Sequence, residues 1–246
     1  KCGIALVALS LDGPETYHNE LRGSQMAFKN VLKAIASLKK EGVQVNIITT
    51  IMKGNLPLLP EIEKTISTKG VSFWQLQLGI PMGKLSEHME FVIEPNQLLD
   101  VKKFILEAKQ RNQIQLTIAD SIGYCSQDEL IMRNNSSTNG ERVYLGCMAG
   151  CKAVAIESNG DVKGCLSLQN ERFIEGNIRE RSLKDIWTDK KSFNYNRNFN
   201  SESLGGYCSK CVYANICRGG CTSLAYNTSG HINNNNYCMH IMEQRW

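Results

Sequence analysis

The run Cys208–Cys221, CSKCVYANICRGGC, most constrains what this chain can fold into. Its spacing is C-x2-C-x5-C-x3-C; Cys147, Cys151 and Cys165 stand upstream of it and Cys238 downstream. Eight of the ten cysteines therefore fall between 147 and 238, two sets of four. Four thiolates per centre is what a tetrahedral zinc site or an iron–sulfur cluster requires. Lys1-Cys2 leads straight into GIALVALSL and a charged turn, with none of the features of a secretory signal. Cysteines in that setting favour a reducing compartment, the cytoplasm, and metal ligation over disulfides.

Zinc ribbons usually show paired two-residue knuckles, often with histidine. Only Cys208/Cys211 forms one here, and His18, His88, His231 and His240 do not share the cysteine spacing. All four histidines are read as ordinary surface or polar residues. Iron–sulfur clusters accept irregular spacing, and Gly219-Gly220 between two cysteines lets backbone amides approach the sulfides. The pattern favours iron–sulfur over zinc, with a zinc-stabilised scaffold as the alternative.

Upstream, apolar runs alternate with helical patterns. Residues 3–11 read as a buried strand bounded by Asp12-Gly13-Pro14, and a helix follows at about 24–41 with Ser24 as its cap. A strand at 43–51, a helix at 55–69 opened by Asn55, a strand at 71–78, a helix at 95–111 and a strand at 114–119 complete the series. Such alternation implies a parallel sheet. Strand 3–11 is apolar on both faces, as an interior strand is, so further strand–helix units are expected to precede it. The carboxyl ends of the strands place Ser10, Asp12, Gln77 and Asp120 at one mouth.

Residues 124–145 are polar and read as a linker or surface loop. This divides the chain into 1–123, a 124–145 linker and a cysteine-rich region, 146–246. In the last, Val154–Cys165 reads as a hairpin turning at Asn159-Gly160, and Ser182 opens a short helix. Asn233–Asn236 reads as a surface loop, and Cys2 and Cys125 as incidental thiols. The net charge of +4 is too mild to argue for nucleic acid or an anionic membrane. No apolar run approaches the roughly 18 residues of a membrane span.

Cys147-x12-Gly160-x4-Cys165, then the 208–221 run, then Cys238 resembles the SPASM domain of radical S-adenosylmethionine (SAM) enzymes. Gly160-Asp161-Val162, Gly176-Asn177-Ile178, Ser182-Leu183…Ile186-Trp187 and Cys217-Arg218-Gly219-Gly220-Cys221 resemble family positions too. Ser10-Leu11-Asp12-Gly13-Pro14 with Leu21-Arg22-Gly23 is similar to the fourth strand and loop of the partial radical SAM barrel, and Trp74–Leu78 to the sixth strand. The resemblance implies an α/β fold: the C-terminal half of a partial (β/α)6 barrel, then a SPASM domain. It implies one auxiliary [4Fe-4S] cluster on Cys147, Cys151, Cys165 and Cys221, and a second on Cys208, Cys211, Cys217 and Cys238. Ser10 and Arg22 would contact SAM.

The C-x3-C-x2-C loop that binds the SAM-cleaving cluster occurs nowhere in these 246 residues. The expectation is that this chain alone cannot cleave SAM, and that a third [4Fe-4S] cluster belongs to the missing N-terminal half of the barrel. The resemblance implies a parent enzyme that modifies a ribosomally synthesised precursor peptide by hydrogen abstraction and crosslinking or oxidation. It also implies a flavodoxin- or ferredoxin-type reductant. Where sulfatase-maturing members carry an acidic residue after the cysteine equivalent to Cys165, this chain has Leu166, which favours other peptide maturases. An iron–sulfur remnant that only carries electrons or docks a peptide is the alternative.

Overall fold

A computed structural model describes residues 3–134 and 142–244. Cys2 lies outside the described residues. Four parallel strands, β1 (Leu6–Ser10), β2 (Gln44–Ile51), β3 (Phe73–Leu78) and β4 (Gln115–Ile118), form one sheet in the order β1-β2-β3-β4. The register runs Leu6↔Gln44, Asn46↔Phe73 and Phe73↔Gln115. Helices α1 (Glu15–Leu21) and α2 (Ala27–Lys40) follow β1, α3 (Leu59–Ser67) follows β2, and α4 (Leu98–Arg111) follows β3. The strand–helix alternation expected from the sequence is thus present.

Period-two alternation decides which sheet face is covered. Val45, Ile47 and Ile51 of β2, Trp74, Leu76 and Leu78 of β3 and Leu116 of β4 are buried. They share one core with Ile35 of α2, Ile62 and Ile66 of α3, and Val101, Phe104 and Ile105 of α4. Most alternate positions are polar and half-buried, Asn46 and Thr50 on β2, Gln75 and Gln77 on β3 and Thr117 on β4, with Ile48 and Phe73 the apolar ones among them. A polar second face suits a barrel interior better than a second helical layer.

One local expectation is corrected. Ser24 does not cap α2; Met26 precedes that helix without a side-chain cap, and Ser24 Oγ instead accepts from Met26 N at 3.4 Å. The unforeseen helix α1 turns the chain through Gly23, so Ser24 sits in the turn between the two helices. Strand β1 lies at the edge of the described sheet, with the flank where further strand–helix units were expected left open: Leu6 is 44% exposed and Ile4 before it 61%. Among the described residues no other strand pairs with that side.

The stretch 124–145, as far as it is described, carries helix α5 (Glu129–Arg133) and the buried side chains Tyr124, Met132 and Tyr144. Further on, β5 (Ala155–Ile156), β6 (Asp161–Lys163) and β7 (Gly176–Asn177) make a small antiparallel sheet, with the expected hairpin turn at Asn159-Gly160. Helices α6 (Leu183–Thr188), α7 (Asn194–Arg197), α8 (Ala214–Cys217), α9 (Thr222–Ser229) and α10 (Met239–Gln244) complete the chain. Ser182 caps α6, accepting from Asp185 N at 3.1 Å. Helix α10 returns to α4: Glu243 takes Lys102 Nζ and Ser126 Oγ at 2.6 Å each and Gln127 N at 3.1 Å. Among the described residues no helix is long and apolar enough to cross a membrane.

Candidate metal centre and strand-end mouth

Each cysteine is placed by a short, glycine-punctuated element. Cys208 sits in a 3-10 turn, Gly206–Lys210, with Cys211 just after it. Cys217 ends α8, and Arg218, Gly219 and Gly220 follow with φ of 54°, 81° and 77°. Three left-handed residues in a row fold the chain back sharply enough that Cys221 begins α9. Gly220 permits this: a β-carbon there would stand 2.5 Å from Asn235 Nδ2 and 3.1 Å from the Tyr124 ring.

The thiols fall into two neighbourhoods. Cys221 interacts electrostatically with Cys147 and Cys165. Cys208 interacts with Cys217 and Cys211, and Cys238 with Cys217 and Cys208. The run 208–221 is therefore split: its last cysteine faces upstream partners, Cys208 and Cys217 face Cys238, and Cys211 faces Cys208. The interactions resolved do not bring Cys151 to Cys147, Cys165 or Cys221. As they stand, no three of the described His, Cys, Asp and Glu side chains converge on a point that would hold a single metal ion.

Burial pushes the Cys221 and Cys238 thiols up to about 12 and raises Cys208; the neighbouring Cys125 thiol, and after it burial, raises Cys217. Backbone amides oppose that rise by donating toward sulfur. Those of Gly219 and Gly220 reach Cys217, and those of Ser223 and Leu224 at the start of α9 reach Cys221. At the start of α10, His240 and Ile241 serve Cys238, while Asn235 serves Cys208. Amide donors and helix N-termini stabilise thiolate. Burial keeps these thiols protonated unless a cation compensates, so metal binding here would release protons.

An iron–sulfur cluster fits these residues. The donors are all thiols, the amides aimed at sulfur are what cluster-bound thiolates accept, and the Tyr144 hydroxyl is buried without a hydrogen-bond partner near Cys147 and Cys221. A four-iron cube also holds its thiolates at separate corners, farther apart than the ligands of one zinc ion. When bound, such clusters supply one-electron capacity.

At the other candidate site, the strand-end mouth, Ser10 ends β1 and is exposed. Arg22 does not stand free: its Nε donates to Asp12 Oδ2 at 3.0 Å and its Nη2 joins the same oxygen. Asp12 is almost wholly buried and takes Thr50 N on its other oxygen at 3.0 Å. His18, expected as an ordinary surface or polar residue, is buried; its Nδ1 accepts from Asp12 N at 3.1 Å, and burial lowers its pKa against the raising effect of Asp12. Gln77 donates to Thr50 Oγ1 at 3.1 Å. Asp120 is exposed and lines a cleft of about 450 Å³ with Thr117, Arg133, Tyr144 and Gly146. The cleft lies between β4 and the approach to Cys147.

Sequence reasoning missed two contributors to the thiol site. Asn235, in the tract taken for a surface loop, is buried and lends its backbone to Cys208. Cys125, taken as incidental, touches Cys217. The signal for Asn235 was its place between Gly230 and Cys238; nothing in the spacing pointed to Cys125.

Residues 147–212 match SPASM, an iron–sulfur cluster-binding domain. The chain is 28% identical over 242 residues to an AdoMet-dependent heme synthase of Oleidesulfovibrio alaskensis, covering 94% of this chain and 60% of that protein. It is 23% identical over 225 residues to a cysteine-type anaerobic sulfatase-maturating enzyme of Clostridium perfringens, covering 88% of this chain and 58% of that one. In structure it superposes on Streptococcus suis SuiB bound to its precursor peptide SuiA with a TM-score of 0.68 at 18% identity, over 94% of this chain and 52% of that one. The chain thus spans about 60% of the length of the curated relatives it matches. The chain is thus similar to radical SAM/SPASM enzymes, a sulfatase-maturating enzyme and SuiB among them, and its residues 147–212 match an iron–sulfur cluster-binding domain.

Proposed function

We propose that this radical SAM/SPASM chain serves an enzyme that modifies a ribosomally synthesised precursor peptide by hydrogen abstraction, followed by crosslinking or oxidation. Within it residues 1–123 form the barrel portion, 124–145 the connection and 146–246 the SPASM domain. Two auxiliary [4Fe-4S] clusters are held there, the first by Cys147, Cys151, Cys165 and Cys221, the second by Cys208, Cys211, Cys217 and Cys238. The observation that carries the proposal is the division of the thiols into two interleaved neighbourhoods, five of the eight cysteines lying in the SPASM-matching segment 147–212. Cys151 joins the first set by sequence position alone.

Ser10 and Arg22 are assigned to SAM at the strand-end mouth, with Asp12 orienting the Arg22 guanidinium. The cleft at Asp120 and Tyr144 is assigned to the peptide, because it borders both the sheet mouth and Cys147. The exposed flank of β1 is assigned to the strands of the other barrel half. A flavodoxin- or ferredoxin-type protein in the cytoplasm is the proposed reductant. The 246 residues alone lack a C-x3-C-x2-C loop and are proposed not to cleave SAM. A second reading, favoured by the heme synthase relative, puts the parent in heme formation.

The test is anaerobic reconstitution of the chain with iron and sulfide, followed by metal and sulfide analysis and incubation with SAM and a strong reductant. The expected result is broad visible iron–sulfur absorbance without 5′-deoxyadenosine. Zinc in place of iron would establish the scaffold alternative, and 5′-deoxyadenosine from the chain alone would refute its assigned incompetence. Supplying the reconstituted full-length parent with a precursor peptide or a porphyrin then separates the two readings by which one is consumed.

A further inference from the structure

Helix α7 is one turn long and carries no cysteine, yet two of its side chains grip a cysteine-bearing loop. Arg197 Nε donates to Gly150 O at 2.7 Å and Asn196 Nδ2 to Ala149 O at 2.9 Å. Both carbonyls lie between Cys147 and Cys151, and Phe193 packs so closely on Gly150 that a β-carbon there would stand 2.3 Å from its own. The other end of the Asn196 amide is used as well: its Oδ1 accepts from Thr222 Oγ1 at 3.1 Å. Thr222 is buried, opens α9 and directly follows Cys221. Beside it Ser223, also buried, donates to Ser167 O at 2.9 Å, two residues after Cys165. Gly164, just before Cys165, completes the contact: a β-carbon on it would meet Gly150 N at 2.8 Å and Ala149 C at 2.9 Å. Segments remote in sequence, each beside a cysteine of the first set, are thus fastened to one another by side-chain hydrogen bonds and close backbone packing.

We infer that Asn196 is the positioning residue of the first centre, joining the Cys147–Cys151 loop to the start of α9 and so fixing that loop relative to Cys221. The inference rests on the proposal that Cys147, Cys151, Cys165 and Cys221 hold a cluster. A carboxamide suits the task because it donates at one end and accepts at the other. Asn196 acts through the carbonyl and the hydroxyl it holds, and groups that orient ligands from behind govern how firmly a metal is kept. Its described side-chain bonds go to Ala149 and Thr222 and to no neighbour of Cys208, Cys211, Cys217 or Cys238. The second centre should therefore not register its loss.

The experiment separates the two centres by background. The chain is reconstituted anaerobically with ferrous iron and sulfide as Cys211→Ser, which should keep the first centre alone, and as Cys165→Ser, which should keep the second alone. Asn196→Leu, Thr222→Val and Thr222→Ser are placed in each background. Iron release to an excess of a ferrous chelator is followed by absorbance, and the reduced samples are examined by electron paramagnetic resonance. In the Cys211→Ser background Asn196→Leu should release iron about 10–100-fold faster than its parent, with an altered spectrum. Thr222→Val should shift release in the same direction by less, and Thr222→Ser, which keeps the hydroxyl, should not shift it. In the Cys165→Ser background all three should match their parent, which also reports that the variants are folded. Equal acceleration in both backgrounds would reduce Asn196 to general support of the fold and overturn the inference, as would unchanged release in the Cys211→Ser background. A Cys211→Ser chain that takes up no iron–sulfur cluster would instead overturn the two-cluster proposal, and the inference with it.

Discussion

Replacing Gly220 with alanine tests how tightly the SPASM turn is clamped to the barrel portion. Gly220 has φ of 77°, and a β-carbon there meets Asn235 Nδ2 at 2.5 Å and the Tyr124 ring at 3.1 Å. Both neighbours are buried and cannot swing into solvent. The left-handed backbone costs an alanine about 1–2 kcal/mol. Overpacking against two immobile side chains adds about 1–3 kcal/mol. Gly230 supplies the control, since its φ is 75° and nothing lies within 4 Å of its β-carbon. Gly230→Ala should therefore cost only the backbone part, and Gly220→Ala about 2–5 kcal/mol in all. Urea unfolding of the metal-free chain, followed by tryptophan fluorescence, measures both. At a slope of about 2–3 kcal/mol per molar urea, the Gly220→Ala midpoint should fall by roughly 1–2 M. Equal midpoints for the two variants would refute the packing of Gly220 against Tyr124.

Three further outcomes follow from named contacts. Thr49 Oγ1 accepts from Trp74 Nε1 at 2.9 Å and donates to Leu11 O at 2.6 Å, all in the dry core; Thr49→Val should cost about 1–3 kcal/mol in urea unfolding, and Thr49→Ser much less. Burial lowers the Lys109 ammonium from its ordinary 10.5 to about 8, so between those values the unfolded chain binds more protons than the folded one. Stability contributed by Lys109 therefore rises with pH, and the wild type should gain on Lys109→Met, in urea midpoint, from pH 7.5 to pH 10; a constant difference would refute the burial of that charge. The Tyr144 hydroxyl, buried near Cys147 and Cys221, is placed to donate to a cluster there. Tyr144→Phe should lower the potential of the first centre and leave the second unchanged in a redox titration.

The barrel portion was legible because each element carried its own period. β2 and β3 alternate and α4 repeats apolar residues at helical spacing, so their ranges fall within a few residues of those expected. Strand β1 was legible too: its apolar content reports the neighbours a strand is built for, and its open flank reports those the described sheet does not supply. Helix α1 was missed since seven residues that bury only His18 and Asn19 give no apolar stripe. In the cysteine-rich region, spacing alone conveyed two sets of four thiols; the division of the 208–221 run between them came from the resemblance to the SPASM domain. The strained turn at Tyr124-Cys125 was not readable, because left-handed backbone at non-glycine residues is imposed from outside the segment by Gly220, Cys238 and Met239. Buried Asn235 was hidden for the same reason: a polar tract reads as solvent-facing unless its partners are known.

The central claim is that one interleaved run of cysteines serves two separate iron–sulfur clusters. Iron and sulfide content of anaerobically reconstituted chain, compared with Cys165→Ser and Cys211→Ser, tests it most directly. The account predicts about eight irons in the wild type and about four in each variant, with different residual paramagnetic spectra because a different cluster survives. Two variants with the same residual spectrum, or bound zinc with no sulfide, would contradict it.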